Sequence, residues 1–594
     1  MALQRPVSFS TQSSSTGENQ QPIVSKLTTL LEKETATMHG ASSRQESVSD
    51  IIDSSNENIQ NADQTHSEAM LQKEANPEPE NETPKDEPLT NTTTALSSKP
   101  YTSFTTHQKW FIVGIATAAS FFSPLSGQIY FPVLPVLTEN YHLSQTLLNI
   151  SVTTYLIFQG LAPSFMGTFS DASGRRPAYI LAFIIYTAAN IGLALQNSYA
   201  ALLVLRCLQS AGSSGTISFG YGVIADVTTT AERGKYLGPM AAGVMVGPAL
   251  GPVIGGLLAQ YLGWRSVFWF LVIISGGYVV VYTILAPETH RKIVGDGSIL
   301  PAESWRLSIL QYVRIRRRLA RMTPAEKKEY DETQSELMAS QKSRKIGFPN
   351  PLLSFMILLE LDAFMIILYV ALMMFGSMVM MTSLPSLYPA YYGLDELQVG
   401  LCFLPFGTSS ALGAIINGKL LDINYKRIAR QHNFSIDRKR GDDLTNFPIE
   451  KARLQLTFLW SSILAATFLG YGWALNYKAP LAVPLVMSFI MGFTLICTMN
   501  SLTTLLADIF PDRVSTASAA QNLLRCLLGA VGAAVVDSML VRMGLGWCFT
   551  FVSLLMVAAV SLLWFEYVWG MGWRQKRWRK VAEKAERERQ NGVV

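Results

Sequence analysis

The chain has 594 residues, of which 49% are hydrophobic and only 15% charged, with a formal net charge of +5 and a mean hydropathy of +0.23. Soluble globular chains carry about 25% charged residues, so this composition excludes an ordinary water-soluble fold. No phosphate-binding loop with its lysine and no zinc-ligand spacing occurs, which argues against ATP-driven work by this chain alone and against a bound metal.

Residues 1–100 are rich in Ser, Thr, Gln, Asn and Glu, and their apolar content is too low to offset the entropy of ordering them. Residues 1–105 are therefore expected to form a disordered tail. Met1 to Ser15 contains no apolar leader segment, so the first span is expected to act as an uncleaved anchor. From residue 109 onward, apolar segments of about 20 residues recur, enough to cross a bilayer core of roughly 30 Å. The spans are expected at 109–131, 145–167, 177–196, 200–224, 236–260 and 265–287, then at 355–383, 397–421, 454–475, 479–506, 514–541 and 547–570. They group into two six-helix halves, 106–287 and 352–570. A central loop (288–351) joins the halves, a second long loop covers 422–453, and a basic tail (571–594) follows. Within the central loop, Thr323-Pro-Ala-Glu326 begins like a capped surface helix.

Lysine and arginine concentrate in alternate loops: Arg175 and Arg176, Arg233 and Lys235, the stretch 314–345, Lys426 to Arg440, and Arg513. The opposite loops hold few, such as Arg265, Lys478 and Arg542. This asymmetry predicts both termini in the cytoplasm. The tail Trp573-Arg-Gln-Lys-Arg-Trp-Arg-Lys580 fits that side, either lying on anionic lipid or solvated. All five cysteines (Cys207, Cys402, Cys497, Cys526, Cys548) fall inside predicted spans and read as small buried hydrophobes.

The most informative stretch is Gly167-Thr-Phe-Ser-Asp171-Ala-Ser-Gly174-Arg175-Arg176, which returns in weakened form as Gly418-Lys-Leu-Leu-Asp422-Ile-Asn-Tyr425-Lys426-Arg427. A polar hinge between spans, used once in each half, implies a duplicated six-helix unit, the build of a secondary transporter. Gly174 permits a tight turn before two fixed cations. Charges at this mouth can pair across helix ends in one conformation and separate in the other, as a gate latch does. Arg175 and Arg176 are expected to face Asp226, and Lys426 and Arg427 to face Asp508. Tyr425 stands where the first copy has Gly174, so the second latch is expected to be weaker. A generic basic loop is the plainer reading, and the second copy argues against it.

The Gly-x-x-x-Asp-x-x-Gly-Arg-Arg pattern resembles the signature between spans two and three of the major facilitator superfamily. Arg206-Cys-Leu-Gln209-Ser-Ala-Gly212 resembles that superfamily's span-four motif, with Ser210 where a glycine is usual. Gly243, Gly247-Pro248, Gly251-Pro252 and Gly255-Gly256 resemble its antiporter signature in span five. The resemblance covers 109–570. Asn500, Asp508, Asn522 and Arg525, with Pro287-Glu288-Thr289, look most like the fungal twelve-span drug:proton antiporters, in a quinidine-resistance-like branch. It implies an all-α membrane fold of twelve helices in two halves, and a role for Arg206 in a proton pathway.

The residues have their own physics. Glycines at i, i+4, i+8 and i+12 of span five share one face and allow close helix approach, while Pro248 and Pro252 bend the helix; such an interface suits rocking between halves. Arg206, inside an apolar span, needs a cavity or a partner. Arg525 and Asp537 in span eleven are the other proton-coupling candidates, whereas span one carries no acid and Glu360 and Asp362 read as interfacial. Phe122, Gln128 and Tyr130 of span one, with Met374 and Met378 of span seven, are candidates for cargo lining. A Met stripe equally suits plain packing.

These readings predict a non-enzymatic, proton-coupled antiporter exporting small organic molecules (drugs or xenobiotics, amphipathic or cationic) by alternating access. Export of a physiological metabolite such as an amino acid, polyamine or organic acid is the alternative, and a non-transporting sensor the second. The expected partners are the cargo, protons and the bilayer, with no cofactor, metal or nucleic acid. The expected state is a monomer in the plasma membrane, the vacuolar membrane being the other possibility.

Overall fold

The computed structural model describes residues 102–590 apart from 230–231, 300, 302, 329, 331, 333–334, 336–355 and 433–446. Nearly all of the predicted tail 1–105, and parts of the predicted loops 288–351 and 422–453, lie outside the described residues. Among the described residues every regular element is helical, and twelve helices are long. In chain order they are α1 Thr106–Gln128, α2 Gln145–Ser173, α3 Arg175–Leu195, α4 Tyr199–Val227, α5 Arg233–Leu262 and α6 Arg265–Leu285. The second set is α7 Leu361–Tyr392, α8 Leu404–Gln431, α9 Ile449–Asn476, α10 Ala482–Ile509, α11 Val514–Met543 and α12 Leu545–Gln590.

Ten helical stretches are long and apolar enough to cross a membrane, by length and composition. The two long helices outside that set are α2 and α4. Both carry polar side chains turned into protein rather than lipid: Asn149 and Ser151 on α2, and Gln209, Ser210, Ser213, Ser214 and Thr216 on α4, are all buried.

Packing repeats between the two sets. α4 lies against α1, α2 and α3, as α10 lies against α7, α8 and α9. α1 packs on α5 and α3 on α6, just as α7 packs on α11 and α9 on α12. The helix junctions repeat as well: Gly263 ends α5 at φ 78° and ψ 161°, and Gly544 ends α11 at φ 77° and ψ 166°. Two faces join the sets, α2 on α11 and α5 on α8.

Three expected boundaries shift. α7 starts at Leu361 rather than 355 and continues through Pro385 and Pro389 to Tyr392, because a helix inside a bundle tolerates proline when neighbours compensate. The predicted span 397–421 divides: a short helix, Glu396–Leu401, is opened by an Asp395–Gln398 capping box, and α8 begins only at Leu404. α12 does not end at 570 but runs on to Gln590, so the first part of the supposed basic tail is structured. In the central loop, Thr323 and Glu326 exchange capping hydrogen bonds, the Thr323 amide donating to Glu326 at 2.8 Å.

Candidate functional site

The end of the bundle where α2 meets α3 is called here the motif end. Gly174 separates the two helices at φ 108°, a conformation that side chains rarely adopt. It also makes room, since a Cβ there would stand 2.5 Å from a Glu288 carboxylate oxygen. Glu288 uses that space to accept from the first amides of α3, Arg175 N at 2.9 Å and Arg176 N at 3.1 Å, and from its own chain at Thr289 and His290. A carboxylate on the positive end of a helix is favourable, so Pro287-Glu288-Thr289 is the cap of α3. Gly174→Ala is expected to lower thermal stability by about 1–3 kcal/mol through backbone strain and loss of this cap. Unfolding of detergent-purified protein would measure it, and an unchanged midpoint would refute the role given to Gly174.

Arg175 bridges two carboxylates. Its Nε donates to Asp226 of α4 at 2.9 Å and its Nη1 to Asp171 of α2 at 2.8 Å. Asp171 is 47% exposed at its side chain, whereas Asp226 is 12% exposed. Gly167, one turn earlier on α2, has open space where a side chain would stand. Arg176, expected to face Asp226 as well, turns the other way. It donates to the carbonyls of Ala286 (3.2 Å) and Thr283 (2.8 Å) at the end of α6, and to that of Trp305. The orphaned carbonyls of a helix terminus are its partners, so it clamps α3 to α6. Nearby, burial and the Arg175 charge push the His290 imidazole down to about 4.

In the second half the expected pairing of Lys426 and Arg427 with Asp508 does not hold. Both cations and Asp422 are exposed on the last turns of α8. Asp508 instead accepts from Arg453 Nε at 2.9 Å, and Arg453 also lies over the Tyr425 ring at 5.3 Å. Arg453 sits in the opening turns of α9 as Arg175 opens α3, and Asp508 ends α10 as Asp226 ends α4. The repeat therefore survives as an α3–α4 and α9–α10 ion pair, displaced in sequence by the insertion after α8. The signal was present in the spacing: 51 residues separate the first pair and 55 the second.

A further charge cluster at this end was missed. Arg574, past the predicted end of α12, is fully buried and donates to Glu450 at 2.7 Å and to the Phe447 carbonyl at 2.8 Å. Arg577 bonds Asp362 at 2.6 Å, so Asp362 is 2% exposed and not interfacial. Glu566 is buried beside them, and neither of its carboxylate oxygens has a hydrogen-bond partner. Gly570 provides the room, because a Cβ there would collide with Glu566. Hydropathy cannot register such residues, since it scores Arg574 as the start of a polar tail.

Arg206 lies in the middle of α4 at 1% exposure. Its guanidinium is sandwiched between the rings of Tyr130 (4.0 Å) and Tyr155 (4.2 Å), a cation–π arrangement. Nη1 donates to Gln209 at 2.6 Å, Gln209 donates to Asn190 at 2.7 Å, and Nε has no partner. No carboxylate pairs with it among the described residues. The same is true of half-buried Arg525 on α11, whose Nη2 bonds Asn522 at 2.7 Å. Asn522 reaches the Gln159 carbonyl of α2 at 3.2 Å, across the interface of the two sets. Asp537, towards the other end of α11, accepts from Thr146 of α2.

The lining candidates divide. Phe122 belongs to the aromatic core, edge-on to Phe183 and Tyr186, and is corrected from lining to packing. Tyr130 is buried, bonds Ser151 at 2.8 Å and serves Arg206. Met378 is buried against Gly529, and half-buried Met374 packs on the same glycine. Gln128 is half-buried and its Oε1 lacks a partner.

The span-five glycines mostly face α1, within their own set, rather than the other half. A Cβ on Gly243 would meet Thr117, on Gly247 Pro124, on Gly251 Gln128, and on Gly255 it would overlap the Ile129 carbonyl. Only Gly256, beside the Glu396 carbonyl, joins Ala249 and Pro252 in meeting the second set at Gly407 and Gly400. Pro248 and Pro252 lie inside an uninterrupted α5.

Side-chain hydrogen bonds between the two sets have a direction. Among the described residues they run from Asn522–Gln159 through Thr153–Ala530 to Thr146–Asp537 and Gln260–Asp395. Among the described residues none lies beyond Asn522–Gln159 towards the motif end. These bonds tie the two sets together towards the end opposite the motif.

Two sets of six long helices, most of them apolar enough to cross a membrane and packed around Arg206 and Arg525, have the build of a membrane transport protein. The Major Facilitator Superfamily profile matches residues 116–533, and the chain belongs to that superfamily. It is 40% identical over 485 residues to MFS-type transporter phiD of a fungal species, covering 82% of this chain and 71% of that one. It is 38% identical to MFS-type transporter tstD of Talaromyces stipitatus (86% and 90% covered) and 35% identical to citrate exporter 1 of Aspergillus niger (84% and 93%). Among solved structures it resembles the xylose transporter XylE of E. coli in a partially occluded inward-open conformation. The TM-score is 0.52 at 15% identity, with 77% of this chain and 97% of the other covered, a likeness of fold.

Proposed function

We propose that this chain exports a small organic anion in exchange for protons, by alternating access. The carrying observation is Arg206 and Arg525, two arginines on central helices that no carboxylate neutralises among the described residues. A buried cation without a counter-ion is costly, and a carboxylate or phenolate cargo would supply one. The citrate exporter of Aspergillus niger, 35% identical, supports a carboxylate-bearing cargo. A cationic drug, as in the quinidine-resistance-like branch, would need an acid at the centre; Asp537 is the acid on α11 and is engaged by Thr146. Loop charge supports cytoplasmic termini and a motif end on the cytoplasmic side, and the plasma membrane is the proposed location. The hydrogen bonds between the two sets then lie towards the outer side in this conformation. The Arg175–Asp226 and Arg453–Asp508 pairs hold α3 to α4 and α9 to α10 there, and their making and breaking is the proposed gate.

Purified protein in liposomes with an imposed pH gradient tests this reading, using radiolabelled citrate and a panel of organic acids and cations. We expect anion movement driven by the gradient and abolished by a protonophore, and Arg525→Ala to raise KM for the anion at least tenfold. Gradient-driven movement of cations alone would overturn the anion assignment. Absence of movement of any compound would favour a sensor.

A further inference from the structure

Between the two sets, past a short helix Arg291–Val294, the chain forms a 3-10 turn, Ser304–Arg306, and enters a helix, Ile309–Leu319, closed at its start by a Ser308–Gln311 capping box. From Arg314 to Arg321 this segment carries Arg314, Arg316, Arg317, Arg318 and Arg321 and no acid. None of the five forms an ion pair among the described residues; Arg318 lies 6.0 Å over the Tyr330 ring. The helix rests on α6, with Gln311, Ile315 and Leu319 half-buried at every fourth position. The adjoining face leaves Trp305 53%, Ile309 49% and Tyr312 43% exposed, with Val313 beside them.

A basic helix standing in water has no reason to present a tryptophan and three further apolar side chains. The pattern of cations beside a large apolar face is that of a helix lying in the plane of a bilayer surface. Its position agrees, because α6, on which the helix rests, itself exposes Val280, Val281 and Ile284. Apolar side chains would enter the boundary next to α6 while the arginines meet the phosphates of an anionic surface.

We propose that Trp305 and helix Ile309–Leu319 form a docking face for anionic phospholipid head groups, linked through Arg176 to the gate motif. The link is covalent in sequence and bonded in space: Arg176 donates to the Trp305 carbonyl, and its neighbour Arg175 holds Asp171 and Asp226. Seating the turn on the bilayer fixes the carbonyl that Arg176 uses, and so biases α3 against α4. The docking itself is independent of the cargo reading above.

The test uses the full chain in nanodiscs of phosphatidylcholine, with and without phosphatidylserine, and reads amide hydrogen exchange over 303–321. Phosphatidylserine is expected to slow exchange in this segment several-fold, an effect that fades at high salt. A variant with all five arginines changed to glutamine should lose the effect, and the five-lysine variant should keep it. Trp305→Ser with Ile309→Ser should weaken it without touching charge. Equal exchange in both discs, or an unchanged response in the glutamine variant, overturns the proposal. Equal protection by inorganic phosphate in phosphatidylcholine discs would also overturn it, since it would identify a soluble-anion site.

Discussion

Arg574→Ala is expected to cost about 3–5 kcal/mol and to leave little folded protein, although the residue lies beyond the last apolar segment. Arg574 and Glu450 are 0% and 1% exposed at their side chains, and their fork contact is made at 2.7 and 3.3 Å. Removing the guanidinium strands the Glu450 carboxylate next to Glu566 and close to Asp362, which Arg577 holds. Deleting both partners removes the stranded charge. Glu450→Gln combined with Arg574→Met should therefore be less damaging than Arg574→Ala alone, a non-additivity expected of direct partners. Thermal unfolding followed by fluorescence size-exclusion in detergent measures all three proteins. If Arg574→Ala unfolds at the wild-type midpoint, α12 is not anchored by this pair.

The twelve-helix architecture was legible because spans must satisfy length and apolarity at once, and because lipid leaves the backbone few alternatives. What hydropathy misplaces are the points where protein, not lipid, surrounds a helix. Pro385 and Pro389 do not end α7, and Gly570 does not end α12; Pro385 is buried and Gly570 lies against Glu566 and Glu450 rather than in a bilayer boundary. The first gate pair followed from the sequence, since Arg175 lies within the motif itself and Asp226 closes the second span after it. The second did not, because the insertion after α8 carried the arginine away from the Lys426-Arg427 copy to the start of α9. Motif likeness and structural equivalence separated at that point. Matching the distance from arginine to helix-ending aspartate, rather than the letters of the motif, would have found Arg453. Phe122 was misread for a related reason: an aromatic beside a proline in span one has the composition of a binding site, and only tertiary packing distinguishes that from the Phe183–Tyr186 core.

Four Asp→Asn changes at the motif end should fall in a definite order, Asp226 worst, then Asp508, Asp171 and Asp422. Asp226 is 12% exposed and bonds a guanidinium at 2.9 Å; Asp508, at 24%, does the same with Arg453. A charge-assisted hydrogen bond of this kind is worth roughly 2 kcal/mol, which shifts a two-state equilibrium about thirtyfold. If the pair forms in one conformation and opens in the other, that shift falls on the gate, and exchange rates drop accordingly. Asp171 meets the same arginine from a side chain 47% exposed, where an ion pair contributes about 0–1 kcal/mol, so a few-fold loss is expected. Asp422 is exposed and forms no ion pair among the described residues, and its change should be silent. Initial exchange rates in liposomes, normalised to folded protein, rank the four. The ranking also decides between two views of the duplicated motif. If the motif letters mattered, Asp171 and Asp422 would head the list as matching positions. If the ion pair is what duplication preserved, the two helix-ending aspartates will, and an Asp422→Asn defect as deep as that of Asp226→Asn would reject the pairing as the gate.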